Sequence, residues 1–469
     1  MISFFKDNGK IDISLVAAFA LIHALIFANA WRHDPTIGYD AFSHRDYIQA
    51  LAKGHLVMPN ESDEFFSPPL PYIFPSVLVA ADMDVFKAMK LAQFLQALLS
   101  IFLVVYLIKI CRLISPNSIV SLGAVIFTGI LPVYYKTFAF VRGEPYVAFF
   151  ATAGIYYFLR ILIGREYNWR NTIAAGVVLG CCMLSRQWGV LLVPALGAFA
   201  ALFWFREREF RVRIFKATAL SLVIAFAISG WFYLWLRSTT GAATAFNREP
   251  SAAFSLRNQP SSFYFALAPK ELFSRPVRPN FPNEFIPIFY SETWGDYWGF
   301  FALFGQDTRK PNQRRLTGPW LSKYEVWNGA PDWMATNYES MSAYLGRVNL
   351  VSLFPTLLAL VALTFALREA IAKPSLDLQA NAQRLLLLIT VFSFAGYFWF
   401  LIKYPMPEKG DTIKASYMLH VFPLIAICVG LFLEKIQKHS RLIPRLIIFC
   451  FIAVAAHNMG AMITHYRWR

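Results

Sequence analysis

The feature that most constrains this chain is the recurrence of apolar stretches close to 20 residues long. That is the length a helix needs to cross the hydrocarbon core of a bilayer. Eleven are read along the 469 residues, at 13–32, 85–108, 119–135, 146–163, 172–184, 189–205, 217–236, 348–367, 385–402, 417–434 and 446–463. They do not alternate apolar and polar residues as barrel strands would. Only 15% of residues are charged, against about 25% in a soluble domain. The pattern predicts an all-α polytopic membrane protein. Its N-terminal membrane module covers 1–236, a long polar loop 237–347, and a C-terminal set of spans 348–469.

The net charge of +16 would suggest nucleic acid in a soluble chain. Here basic residues flank the spans instead: Lys6 and Lys10; Lys109 and Arg112; Arg165 and Arg170; Arg206, Arg208, Arg211, Arg213 and Lys216; Arg368, Lys373 and Arg384; Lys435, Lys438, Arg441 and Arg445. The positive-inside rule puts that set on the cytoplasmic side. The 33–84 loop, the turns near 136–145 and 185–188, the long loop and the 403–416 segment then face outward. The long loop carries Arg248, Arg257, Lys270, Arg275, Arg278, Arg309, Lys310, Arg314, Arg315 and Lys323, placed to meet lipid phosphates. Its aromatic content suits packing on the membrane surface, with an irregular stretch at 247–262. The N-terminal apolar run is long for a signal peptide, so an uncleaved first span is expected. The five cysteines lie in or beside spans without metal-ligand spacing, so neither disulfides nor a zinc site is expected.

Against this background one polar island stands out, Gly38 to Tyr72. Asp40, His44 and Tyr47 share a face if 41–51 is helical. Asp46, His55, Asp63 and Glu64 follow. A solvated amphipathic helix on the membrane would account for Asp46 and Asp63. Asp40 differs because it lies just past the first span, where a carboxylate can take a proton from a hydroxyl attacking a lipid-linked substrate. Asp40, Asp46 or Glu64 could instead hold magnesium or manganese, which favour oxygen ligands. The three prolines of Phe65–Tyr72 forbid a regular helix through this point.

Polar groups also interrupt the outer helix ends, in Tyr135-Lys136, Val141-Arg142-Gly143-Glu144-Pro145, Ser185-Arg186-Gln187-Trp188, Lys403-Tyr404 and Lys409 to Tyr417, with His420 one turn on. Each alone can be a snorkelling side chain. Together, cations near a carboxylate suit an anionic phosphate leaving group beside a base. Ser291 to Phe300 combines acids and aromatics that can stack on a sugar, or simply forms an interfacial helix.

Taken together, GYDAFSHRDYI, EFFSPPLPY, VRGEP, SRQWG, SETWGDYWGFF and IKASYMLHVFPL resemble the GT-C superfamily of membrane glycosyltransferases. The resemblance is to its polyprenyl-phosphate-sugar-dependent branch: protein O-mannosyltransferases, the lipid A aminoarabinose transferase and lipid A galacturonosyltransferases. It implies a GT-C fold of about 11 transmembrane helices, with short interfacial helices on its outer loops. The active site would face the periplasm of a bacterial inner membrane. It also implies inverting transfer of a sugar from a polyprenyl phosphate to a lipid, glycan or protein hydroxyl. Asp40 falls where the family places its base, although the family's paired acids are here Asp40-Ala41. His44, Asp46 and Glu64 are then acceptor or metal candidates. Arg142, Arg186, Lys403, Lys414, Tyr417 and His420 are donor-phosphate candidates, and Glu144, Trp294, Asp296 and Tyr297 sugar-binding candidates. The competing class is a polyprenyl-glycan or lipid transporter, which would place its polar site near the bilayer midplane.

Overall fold

A computed structural model describes residues 6–468 apart from 8–9, 165, 207–208, 210, 279, 282, 303–331, 374–376 and 407–412. Arg165, Arg208, the basic residues at 309–323 and the 409–412 part of the last polar turn therefore lie outside the described residues.

A two-residue hairpin, β1 (Lys6–Asp7) and β2 (Lys10–Ile11), precedes an otherwise helical chain. The helices are α1 (Ile13–Arg32), α2 (Ala41–Leu51), α3 (Leu70–Ala80), α4 (Val85–Ile114), α5 (Ser118–Gly129), α6 (Pro132–Ala139) and α7 (Glu144–Phe158). They continue with α8 (Trp169–Met183), α9 (Leu192–Arg206), α10 (Arg211–Thr240), α11 (Ser261–Phe265), α12 (Pro269–Ser274) and α13 (Phe285–Trp294). The last are α14 (Asp332–Val351), α15 (Leu353–Ala372), α16 (Leu378–Lys403), α17 (Phe422–Gln437) and α18 (Leu442–Met462). Several starts are written in the sequence: Asp12, Asp84, Asn117, Asn168 and Asp377 each accept a bond from the first turn of the helix that follows, satisfying otherwise orphaned amides.

All eleven expected spans fall on helical segments, but not as eleven simple spans. Among the described residues, eight helices are long and apolar enough to cross a membrane. The stretch expected at 119–135 is instead α5 and α6, bent by 64°, because Pro132 keeps the preceding Leu131 extended. The stretches at 172–184 and 417–434 give the 15-residue α8 and the 16-residue α17. The prolines of 65–72 do not prevent a helix. Pro71 sits in the first turn of α3, where its missing N–H costs nothing, and α3 continues through Pro75. The outward-facing Leu21, Val223, Leu234, Val391 and Phe449 are exposed, as lipid-facing positions should be. The chain is a helical integral membrane protein.

Inside lipid, apolar burial does not drive helices together. Close approach of small residues and polar bonds across interfaces do. Gly176-Val177-Val178-Leu179-Gly180 on α8 faces α10. A Cβ on Gly176 would fall 2.7 Å from Ile224 Cβ, and one on Gly180 2.8 Å from Ile228 Cβ. Ser221 of α10 donates to Thr172 O at 3.0 Å and Tyr233 to Met183 O at 2.7 Å. Near one end of the bundle, Gln93 and Gln96 of α4 donate to the carbonyls of Ala139 and Phe140, and Asn29 of α1 to that of Met462. These bonds gather at one face the C-terminal ends of α1 and α18, the N-terminal end of α4 and the α6–α7 junction. The outer loops lie across this face.

Candidate active site

Asp40 owes its position to backbone geometry. Gly38 has φ +147°, and a Cβ there would come within 3.2 Å of the Phe140 ring, so glycine is needed. Asp40 itself is left-handed, φ 55°, a conformation that costs a non-glycine residue of order 1–3 kcal/mol. It stands at the N-cap of α2 without capping it. Its carboxylate instead accepts from Lys414 Nζ at 2.8 Å and keeps 34% of its side-chain surface open. Lys414 is anchored through its backbone: its N–H donates to the Tyr397 hydroxyl at 2.7 Å, and that hydroxyl donates to its carbonyl at 3.2 Å. Its ammonium lies 5.0 Å from the Tyr39 ring, 5.7 Å from Tyr417 and 5.8 Å from Trp298.

A second network stands beside this pair. Gly143 lies against the carbonyl of Ser185, too close for any side chain, which brings the loops bearing Arg142, Glu144 and Arg186 together. Arg142 grips Glu144 through Nε at 2.5 Å and Nη2 at 2.7 Å. Arg186 donates to Glu144 at 3.1 Å, to Glu64 at 2.5 Å and to the hydroxyl of Ser67, which itself donates to Glu64. Such charge-assisted bonds hold a guanidinium in one orientation. His44, Tyr72 and Tyr47 pack ring to ring below. Tyr72 OH meets His44 Nδ1 at 2.9 Å and Tyr47 OH donates to Ser67 O at 2.8 Å, tying α2 to the turn that carries Glu64.

Asp40, Glu64, Arg186, Lys414 and Tyr417 line one cleft that opens to solvent. Phe66, Trp188, Phe246, Phe400 and Tyr404 form its aromatic wall, with Ser67, Gln187, Asn247 and Arg248 among the polar groups. All of these lie at helix ends or in connecting loops, not at mid-span.

The other candidates are elsewhere. Arg142, Glu144 and His44 are buried and do not line the cavity. Asp46 pairs with its neighbour Arg45 on the outer side of α2. Lys403 donates to Ser251 O, outside the cavity lining. His420 meets Ser393 Oγ at 2.9 Å. The segment proposed for sugar stacking turns inward: Trp294 donates to Thr356, Asp296 accepts from the amides of Phe300, Phe301 and Ala302, and Tyr297 stacks on Phe281. All three side chains are buried, so the acids and aromatics of this segment hold a loop instead of facing the cavity. Trp298 of the same segment donates to Ile413 O at 3.1 Å, beside Lys414.

Ser67, Gln187, Trp188, Phe246 and Tyr397 were missed as site residues. Ser67, Gln187 and Trp188 adjoin residues that were singled out. Phe246 and Tyr397 carry no sequence signal, because only the fold brings them to the cavity and to Lys414.

Burial alone would raise the Asp40 carboxyl. Lys414 more than offsets this, helped by His44 and Arg142, and holds it well below the usual carboxylate range. Glu64 is lowered too, with Arg186 and His44 outweighing burial. Burial works against the cations, yet Asp40 raises Lys414, and Glu144 with Glu64 raises Arg186. Burial, aided by Arg186 and Arg142, pushes His44 down to about 4, so it is neutral at physiological pH.

Each of the three carboxylates weighed as a magnesium or manganese ligand has a cation beside it. Asp40 is held by Lys414, Glu64 by Arg186 and Asp46 by Arg45. Among the described residues no group of three His, Cys, Asp or Glu side chains is placed to hold a metal.

Residues 67–233 match the model of the family described as dolichyl-phosphate-mannose-protein mannosyltransferase. No curated protein sequence matches the chain. Among solved structures, the oligosaccharyltransferase of Archaeoglobus fulgidus, in complex with Zn and sulfate, aligns over 96% of this chain and 53% of its own, at 13% identity and TM-score 0.51. ArnT from Cupriavidus metallidurans bound to undecaprenyl phosphate aligns over 96% and 75%, at 12% identity and TM-score 0.48. A chain of the Saccharomyces cerevisiae protein O-mannosyltransferase Pmt1-Pmt2 complex bound to the sugar donor aligns over 48% and 34%, at 19% identity and TM-score 0.38. The chain thus spans about half the length of the archaeal enzyme and a third of the yeast one. Its architecture is the GT-C fold.

Proposed function

We propose that this chain of the GT-C superfamily is an inverting glycosyltransferase that moves a sugar from a polyprenyl phosphate to an acceptor hydroxyl. The observation that carries the reading is the cavity itself. Two carboxylates, Asp40 and Glu64, and three cations, Arg186, Arg248 and Lys414, line it beside an aromatic wall. In this mechanism the acceptor oxygen attacks the anomeric carbon while Asp40 takes its proton. The bond from that carbon to the phosphate oxygen breaks, and Arg186 and Lys414 neutralise the charge left on the lipid phosphate. The family match over 67–233 supports a lipid-phosphate sugar as donor. The position of the cavity at helix ends favours an enzyme over a transporter, whose site would lie near mid-bilayer. Positive-inside flanks support an outward-facing cavity in a bacterial inner membrane.

Asp40→Asn is expected to lower sugar transfer by about 10²–10⁴-fold, the usual contribution of a general base, while the variant still binds undecaprenyl phosphate. Reconstituted protein and a radiolabelled polyprenyl-phosphate sugar measure both. Full turnover by the variant would falsify the base assignment.

A further inference from the structure

Two of the three cavity cations, Arg186 and Lys414, are held in different ways. Arg186 makes charge-assisted bonds to Glu64, Ser67 and Glu144, so moving it breaks a network. Lys414 places its ammonium on one carboxylate, Asp40, and Lys414 is the one hydrogen-bond donor to that carboxylate among the described residues. Its backbone is pinned at both N–H and C=O by Tyr397, so the side chain can swing while the chain stays fixed. The rings of Tyr39, Tyr417 and Trp298 around the ammonium favour a cation on their faces. A short swing between them does not strand the charge in apolar surroundings. A lysine, compact and on a flexible stem, suits such a motion better than an arginine.

This arrangement also poses a chemical problem. While Lys414 donates to Asp40 Oδ2, the carboxylate is a weaker base, although Oδ1 stays open. We propose that Lys414 changes partner during the reaction: it holds Asp40 in the ligand-free chain and passes to the phosphate of the lipid-linked donor, so that donor binding frees the base. The inference rests on the glycosyltransferase reading above and adds an order of events to it. The donor arrives as a phosphodiester and Lys414 moves to it. Asp40 then accepts the acceptor proton as the new C–O bond forms. The electron pair of the broken bond goes to the phosphate, leaving a monoester with one more negative charge, held by Lys414 and Arg186. Asp40 and the donor phosphate are therefore competitors for one ammonium.

Competition gives a test. Full-length protein in nanodiscs is titrated with undecaprenyl phosphate, comparing wild type, Asp40→Asn, Lys414→Met and the double variant. Asp40→Asn removes the competitor and is expected to bind about 2–10-fold more tightly than wild type. In the Lys414→Met background the same change is expected to gain less than about 2-fold. An unchanged or weaker affinity for Asp40→Asn overturns the exchange. So does a gain at least as large without Lys414, because simple charge repulsion would produce it. Wild type that fails to bind the probe overturns the donor reading and the exchange together. Wild type that binds while Asp40→Asn gains nothing overturns the exchange alone. A cryo-electron microscopy map of wild type with the probe needs no variant to fold. It is expected to show Lys414 Nζ on the phosphate, and Lys414 still on Asp40 beside bound phosphate would refute the exchange.

Discussion

Two of the lysine–carboxylate pairs near the face that holds the cavity are built from the same groups and put to opposite ends. Lys136 Nζ lies 2.5 Å from Glu292, and neither side chain has any exposed surface. It also donates to the carbonyls of Glu292 and Gly295 at 3.2 Å. The pair ties the bent α5–α6 unit to α13 and the loop after it. Lys414 lies 2.8 Å from Asp40, with 8% and 34% of the two side chains open, and both line the cavity. The contrast teaches that a charge pair is marked for chemistry less by its strength than by what it can still reach. The sealed pair has its partners already. The open one has solvent, an aromatic wall and room for a ligand.

The sharpest way to break that contrast is to remove one lysine from each pair. Lys414→Met is expected to reduce transfer by about 10²–10³-fold, the cost of losing one group aimed at developing charge, with the melting temperature lowered less than in Lys136→Met. Lys136→Met should do the reverse. Stripping one partner from a buried pair costs about 3–5 kcal/mol, so melting in detergent should fall markedly while turnover per folded molecule holds within about 3-fold. Lys136→Met with Glu292→Leu replaces the pair with apolar bulk and should recover much of the loss. If Lys414→Met destabilises as much as Lys136→Met and leaves turnover intact, the two pairs are alike and the comparison collapses.

A gentler probe is pH. Asp40 is held below its ordinary value, so the pair stabilises fully above the unfolded carboxyl value of about 3.9 and loses that stability only as pH falls through the lower folded value. Transfer by the folded protein should therefore stay flat from about pH 8 to 5. The buried histidines of the loops add an earlier slope to stability. Burial pushes His33 to about 3 and His44 and His420 to about 4. The unfolded chain takes up protons near its value of about 6.5 and the folded chain does not, so stability falls as pH drops across that interval. Melting temperature against pH, with His44→Asn beside wild type, separates that slope from turnover. In Lys414→Met the burial of Asp40 is no longer offset, and the acid limb of turnover should move up toward neutral. An unmoved limb would mean that Asp40 is not the group that titrates.

How much of this was legible beforehand depended on the kind of signal. The spans were readable because apolar length is written locally. The α5–α6 bend was not, because Pro132 was read inside one hydrophobic run, although proline restrains its neighbour. Asp40, Glu64, Arg186, Lys414 and Tyr417 could be picked as polar groups at outer helix ends. Sequence position could not tell that Lys403, equally polar and equally placed, turns to Ser251. The Ser291–Phe300 segment misled for the opposite reason. Its acids and aromatics look like a sugar platform, yet Asp296 satisfies three backbone amides and Trp294 reaches Thr356. Buried and ligand-facing polar groups have the same composition, and only packing separates them.

The smallest effect belongs to a third pair, Arg45–Asp46 on the outer side of α2. It is 2.6 Å long with 21% and 37% of its side chains exposed, and neither residue lines the cavity. Exposed pairs of this kind are worth about 0–1 kcal/mol, and salt screens them further. Asp46→Asn is expected to shift melting by no more than a degree or two and to leave transfer unchanged within about 2-fold, as is Lys403→Ala. These positions matter because Lys403 has the same standing in the sequence as Lys414, and Asp46 is a carboxylate on the same loop as Asp40. A large loss of transfer in Asp46→Asn, at unchanged stability, would mean that α2 presents its outer carboxylate to substrate. The open pair at Lys414 would then be only one edge of a wider site.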